Sequence, residues 1–121
     1  MLNNLVLVGR LADNPRLHVF NDGVKVCHFV MAVERPFQNQ ETGNYDVDFI
    51  PVSVWRGFSD AMMQFCKKGS TIGIKGRLSM KQTECNGIKV NQIEVIAERV
   101  SFINLKRDPK EVKEEENLES T

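Results

Sequence analysis

The segment Asp46–Arg56 constrains the fold more than any other, because it alternates at the period of two that an extended strand turns into two distinct faces. Ile50, Val52 and Val54 fall on one face, and Phe49, Ser53 and Trp55 on the other. The first set is a core face. The second places two large aromatics beside small or polar residues, which a lone core does not need and a ligand with flat faces does. Six residues at about 3.3 Å each separate Phe49 from Trp55 by roughly 20 Å, a span that suits an extended ligand.

The remaining pattern surrounds this strand with others. Asn4 to Leu11 is almost wholly Val and Leu and is expected to be covered on both faces. Leu17 to Phe20 is a short second run before Asn21-Asp22-Gly23, a strong hairpin signal because Asp-Gly takes positive φ readily. Val24 to Val33 is a long apolar strand, and Glu34 to Asp46 a polar loop, long for a hairpin connection. Ser59 to Lys67 is expected to be helical. Ser59 would cap it, Asp60 suits its positive end, and Gly69 stops it after Lys67-Lys68. Met62, Phe65 and Cys66 give that helix one apolar side.

Thr71 to Glu84 returns to strand and turns at Asn86-Gly87 into Ile88 to Ala97. The period slips between Val90 and Ile93, where a bulge is expected, and Ser101 to Leu105 would add a last short strand. Residues 106–121 have almost no apolar content and are expected to form a disordered acidic tail. The fold class is therefore all-β: one domain over residues 1–105, a five-stranded OB-fold barrel with one short helix between strands 3 and 4. A small β-sandwich is the structural alternative.

Composition narrows the function. An apolar fraction of 41% and a charged fraction of 26% are ordinary for a soluble globular chain. No charged leader precedes the first apolar residues, and Leu5-Val6-Leu7-Val8 is too short for a membrane span, so a cytoplasmic location is expected, with no membrane partner. Cys27, Cys66 and Cys85 are odd in number and widely spaced, which excludes a disulfide framework, and no Cys/His cluster suggests a metal.

The net charge is 0, but it is unevenly spread. From Asp108 onward six acids oppose two bases, leaving −4, so residues 1–107 carry +4 (14 bases, 10 acids). A basic body with an acidic tail favours an anionic partner.

Thr71 to Lys81 has the cleanest alternation in the chain. Ile72, Ile74, Leu78 and Met80 face one way; Lys75, Arg77 and Lys81 face the other, as a row of cations that could track a phosphate backbone. An ordinary solvated strand face explains the same row equally well. Gly73 and Gly76 are assigned to barrel curvature. Phe49 and Trp55 are candidate stacking platforms, since stacking on an aromatic works with any base. Arg35 and Phe37, on the polar loop, suit a strand-wrapping arm, although Glu34, Glu41 and Asp46 there would repel phosphate. Arg10 and Arg56 end strands, and Lys68 follows the helix. His18 and His28 have no spaced carboxylate or cysteine partner and are assigned to packing or surface. No nucleophile–base pair, paired-carboxylate site or phosphate loop is present, so no enzyme activity and no cofactor are expected.

Several motifs together are similar to one family. Asn4-Leu5-Val6-Leu7-Val8-Gly9-Arg10-Leu11 with Asp13-Asn14-Pro15, then Ala32-Val33-Glu34-Arg35-Pro36-Phe37, Asp48 to Arg56, Lys67-Lys68-Gly69-Ser70 and Gly76-Arg77-Leu78 resemble bacterial single-stranded DNA-binding proteins. The likeness runs in unbroken order over roughly residues 1–105. It implies an OB-fold that assembles as a homotetramer and wraps single-stranded DNA. It also implies that Phe37, Phe49 and Trp55 stack on bases, while Arg10, Lys68 and Lys81 lie along the DNA path. Two positions depart from the family. Thr83 stands where an aromatic is frequent, and the acidic end, Glu114 to Thr121, lacks the apolar tip that recruits replication and repair proteins.

The expected function is thus sequence-tolerant coating of single-stranded DNA during replication, recombination and repair. Trp55, Phe37 and Phe49 would stack, and Arg10, Arg35, Arg56, Lys68, Lys75, Arg77 and Lys81 would attract the backbone. An oligomeric adaptor of a primosome-type assembly and a single-stranded RNA binder are the alternatives.

Overall fold

The computed structural model describes residues 1–106. Its elements follow the order β1 (Leu5–Leu11), β2 (Arg16–Val19), β3 (Lys25–Gln38), β4 (Tyr45–Trp55), α1 (Gly57–Phe65), β5 (Thr71–Cys85) and β6 (Ile88–Asn104). β1 pairs with both β5 and β3, and β5 with β6, β6 with β4 and β4 with β3, so five strands close on themselves. The β4–β6 contact is parallel and the other pairings antiparallel. β2 is a four-residue, fully exposed strand that pairs only with β3. It stands outside the closed ring, so α1 falls between the third and fourth barrel strands. This is the five-stranded OB barrel.

The barrel fills with one side of each strand. Cys27, Phe29 and Met31 of β3 oppose Val54, Val52 and Ile50 of β4, and the first five of these six are buried. Ile72 and Ile74 of β5 and Val95, Ala97 and Val100 of β6 complete the ring, with Met62 of α1 in the same cluster. Glycine is required at two closures. A Cβ on Gly9 would strike the Ala32 carbonyl where β1 crosses to β3, and one on Gly76 would strike the Ile96 carbonyl.

Several expectations need correction. β1 is not covered on both faces: Val6 and Val8 are exposed while Leu5 and Leu7 are partly buried. A run of Val and Leu reads as doubly buried, but here the barrel covers one side only. The Glu34–Asp46 loop shrinks to residues 39–44, because β3 and β4 run on to Gln38 and Tyr45 through an irregularity between Glu34 and Gln38. The helix begins at Gly57, not Ser59. Its N-cap is Arg56, and Ser59 lies inside, buried, its hydroxyl donating to the Val54 carbonyl at 2.9 Å. Phe65, assigned to the apolar side of the helix, is exposed, as are Leu78 and Met80.

The bulge expected between Val90 and Ile93 is absent: those residues pair without a break with Thr83 to Met80. The irregularities lie at Thr71/Ile72 and Lys75/Gly76, which leave Ile103 and Glu98 unopposed in β6. β6 is continuous to Asn104, so no separate strand starts at Ser101. Both hairpin turns form, with positive φ at Gly23, Asn86 and Gly87. The tail expected over 106–121 lies outside the described residues except for Lys106, whose N–H donates to Ser70 Oγ at 3.0 Å.

Candidate nucleic-acid interface

The strand register defines the outer surface residue by residue. Val26, His28, Val30 and Ala32 of β3 oppose Trp55, Ser53, Pro51 and Phe49 of β4. β2 extends this surface, with Arg16 opposite His28 and His18 opposite Val26. On the other side Ser53 pairs with Ile96, and Ile96 with Arg77. One row therefore runs Arg16, His28, Ser53, Ile96, Arg77 across five strands. A second runs His18, Val26, Trp55.

The three predicted platforms differ in exposure. Phe37 is 80% exposed, Phe49 67% and Trp55 39%. Trp55 is the most enclosed because Phe20 lies parallel to it, with ring centroids 5.8 Å apart and planes 4° apart. His18 meets Phe20 edge-on at 4.6 Å. Val26, flanked in register by His18 and Trp55, is fully buried yet outside the barrel core. The rings of the second row thus cover an apolar floor of their own. Ser53, expected on the open face, is buried and accepts a 3.3 Å hydrogen bond from Trp55 Nε1, which fixes the indole's edge. Phe49 sits at the rim of an apolar hollow of about 330 Å³ lined by Leu5, Leu7, Ile50, Leu78, Ile93 and Val95.

The cations divide into groups. Arg10 opposes Ala32, which also opposes Phe49, so Arg10 and Phe49 flank one residue two strands apart, roughly 10 Å. Arg77 and Lys81 continue the surface of Trp55 through β6. Lys75 does not; it stands between Val6 of β1 and Arg99 of β6, beyond the bulge. Lys68 is in the loop after the helix, its N–H bonded to Asn14 Oδ1 at 2.8 Å, and neighbouring Gly69 N–H donates to the Leu11 carbonyl. Arg56 lines a hollow of about 310 Å³ with Asp22, Lys25 and Asp60.

Two predicted phosphate cations already have carboxylate partners. Arg35 grips Asp48 through Nε at 3.2 Å to both oxygens and through Nη2 at 2.9 Å. Asp46 approaches its Nη1 at 4.0 Å. The hydrogen bond to Arg35 holds the Asp48 carboxyl below its ordinary range, and the same bond raises Arg35. Arg77 lies 3.7 Å from Glu98. Arg35 thus acts first as a cross-strand brace at the base of the Phe37 arm.

Sequence reasoning missed Phe20 and the row around His28. The signal was present: Arg16, His18 and Phe20 alternate on one face of the short β2 run, and only its shortness hid the period. His28, assigned to packing or surface, is half-buried in a surface groove. Among the described residues no group of three or more His, Cys, Asp or Glu is placed to hold a metal ion, and no helix is long and apolar enough to cross a membrane.

Fold and site together define an OB barrel that displays aromatics and cations on one outer surface. The family model of the single-strand binding protein family matches residues 2–103, and the chain belongs to that family. It is 42% identical over 107 residues to a single-stranded DNA-binding protein of Oceanobacillus iheyensis, covering 88% of this chain and 66% of that one. Single-stranded DNA-binding protein 3 of Listeria innocua is 41% identical over 109 residues, covering 89% of this chain and 68% of that relative. A relative from Halalkalibacterium halodurans is 43% identical, and the match spans 61% of its length. The matches therefore span 61–68% of the length of these three relatives. Among solved structures, the Plasmodium falciparum SSB complex with ssDNA superposes with a TM-score of 0.75 at 21% identity, covering 86% of this chain and 96% of that one, which supports the fold.

Proposed function

We propose that this protein binds and coats single-stranded DNA without strong sequence preference, serving replication, recombination and repair, and that it is not an enzyme. The observation that carries this reading is the shared outer surface: Trp55 and Phe49 open on the same face of β4, with Arg10 two strands away across β3 and Arg77 and Lys81 two strands away across β6. Exposed rings supply stacking of roughly 1–3 kcal/mol per base, and the cations supply salt-sensitive attraction to the backbone. The relatives named single-stranded DNA-binding proteins support the same substrate.

Assembly as a homotetramer and a cytoplasmic, nucleoid-associated location belong to this proposal. The uncovered β1 face, with Val6 and Val8 exposed, supports self-association. Filter binding with single-stranded, duplex and RNA oligonucleotides, together with light scattering, tests both parts. The expected result is preference for single-stranded DNA over both competitors and a mass of four chains. Equal retention of duplex or tighter RNA binding contradicts the substrate, and a monomer contradicts the assembly.

A further inference from the structure

A shallow groove of about 280 Å³ runs over the outer surface at His28, one register row from Trp55. Phe29, Val30, Pro51 and Val52 form its apolar floor, and Arg16, His28, Asp13 and Glu94 carry its titratable groups. Arg16 of β2 and Ser53 of β4 flank His28 in register, and Ser53 holds the Trp55 indole. Arg16 is exposed and forms no salt bridge among the described residues. Lys81 of β5, Glu94 of β6 and His18 of β2 are close enough to act on the charge of His28. Arg16 faces Asp13 and Glu94 in the lining, with His28 the only other group there that can carry positive charge. Protonating His28 adds one positive charge, so the anion affinity of the groove depends on that imidazole.

We propose that the edge of this groove formed by Arg16 and His28 is a phosphodiester subsite, holding the nucleic-acid backbone next to the base that stacks on Trp55. This rests on the single-stranded DNA reading and adds two residues to it, Arg16 and His28. Arg16 and His28 offer donors beside an apolar floor of Phe29, Val30, Pro51 and Val52, and the next row carries the Trp55 ring, which matches the alternation of phosphate and base along a single strand.

Burial, and after it Lys81, hold His28 below its ordinary value of 6.5, so it is neutral in the free protein at pH 7. A bound phosphate favours the imidazolium and raises that value. The complex then holds more protons than the free protein, and affinity rises as pH falls from 8 to 5.5. One linked proton gives a slope of at most about tenfold per pH unit.

Oligo-dT titrations at constant ionic strength between pH 5.5 and 8 read this out, because thymine does not gain a proton in that range. The full chain is expected to bind tighter at low pH. His28→Gln should flatten the profile while retaining binding, and His18→Gln should leave most of the slope. Arg16→Gln should weaken binding at every pH and reduce the salt slope by about one phosphate's worth. Binding by the unsubstituted chain with the pH profile unchanged by His28→Gln and the salt slope unchanged by Arg16→Gln overturns the subsite alone. No binding at any pH by folded protein overturns the DNA reading and the subsite with it.

Discussion

Phe20 and Trp55 lie with their rings 4° from parallel and 5.8 Å apart, joining the β2–β3 turn to the end of β4. Phe20 occupies one face of the indole, while Ser53 holds its edge. Trp55 is therefore a prealigned plate, and a base meets it without first ordering it. Removing Phe20 should free the indole. An aromatic pair is worth about 0.5–1.5 kcal/mol beyond its buried area, so Phe20→Ala should weaken oligo-dT binding by roughly three- to tenfold. Red-shifted Trp55 emission in the free variant should accompany that loss. Unchanged affinity would make Phe20 a cover for Val26 only.

Arg56 holds φ 63° and ψ −128°, a conformation that suits glycine, where β4 breaks into α1. Such strain costs on the order of 1–3 kcal/mol. Arg56→Gly should therefore be more stable than Arg56→Ala by about 1 kcal/mol, the glycine's extra unfolded-state freedom offsetting part of the relief. Urea melts of both variants measure the difference, and equal midpoints would show that the junction is relaxed.

Ser59 is buried and anchors the first turn of α1 to the barrel through the Val54 carbonyl, with a second contact to Lys25 O at 3.3 Å. Ser59→Ala removes this buried hydrogen bond, while the Lys25 carbonyl keeps the Arg56 N–H, and should cost about 0.5–1.5 kcal/mol. Chemical denaturation should show this as a shifted midpoint at constant slope.

The Arg35–Asp48 pair gives a charge prediction. Asp48 titrates below its ordinary 3.8 in the folded chain, so the pair contributes above that value and is lost as pH falls through the lower folded value. Between pH 5 and 8 it is constant. Asp48→Asn should release Arg35 and tighten DNA binding at low salt, with a salt slope steeper by about one charge. A weaker variant would show that the brace, not the free cation, serves the site.

The thiols separate by burial. Cys27 and Cys66 are buried and pushed up to about 11 by that burial, whereas Cys85 is exposed at a hairpin turn. An aromatic disulfide reagent at pH 8 should modify one thiol in the native chain and three in urea. Two fast native reactions would mean that the barrel end under α1 opens readily.

The barrel was legible because alternation survives wherever one side of a strand faces the core, as in Ile50–Val54 and Ile72–Ile74. It failed where that rule loosens. β1 is as apolar outside as inside, so Val6 and Val8 gave no sign of exposure. Ser59 looked like a cap because the true cap, Arg56, uses a backbone conformation that residue type does not announce. Phe49 and Trp55 were visible as aromatics out of phase with the core. Phe20 was not, since the β2 run is too short to display its period, and its stacking on a ring 35 residues away needs the β2–β3–β4 register. The pairing of Arg35 with Asp48 was hidden for the same reason.

Trp55 is the only tryptophan, so its fluorescence reports directly on the proposed plate. Titrating the full chain with oligo-dT at low salt should quench that emission to saturation, and raising the salt should reverse it. Folded protein whose Trp55 emission stays unchanged at saturating oligo-dT would contradict the account.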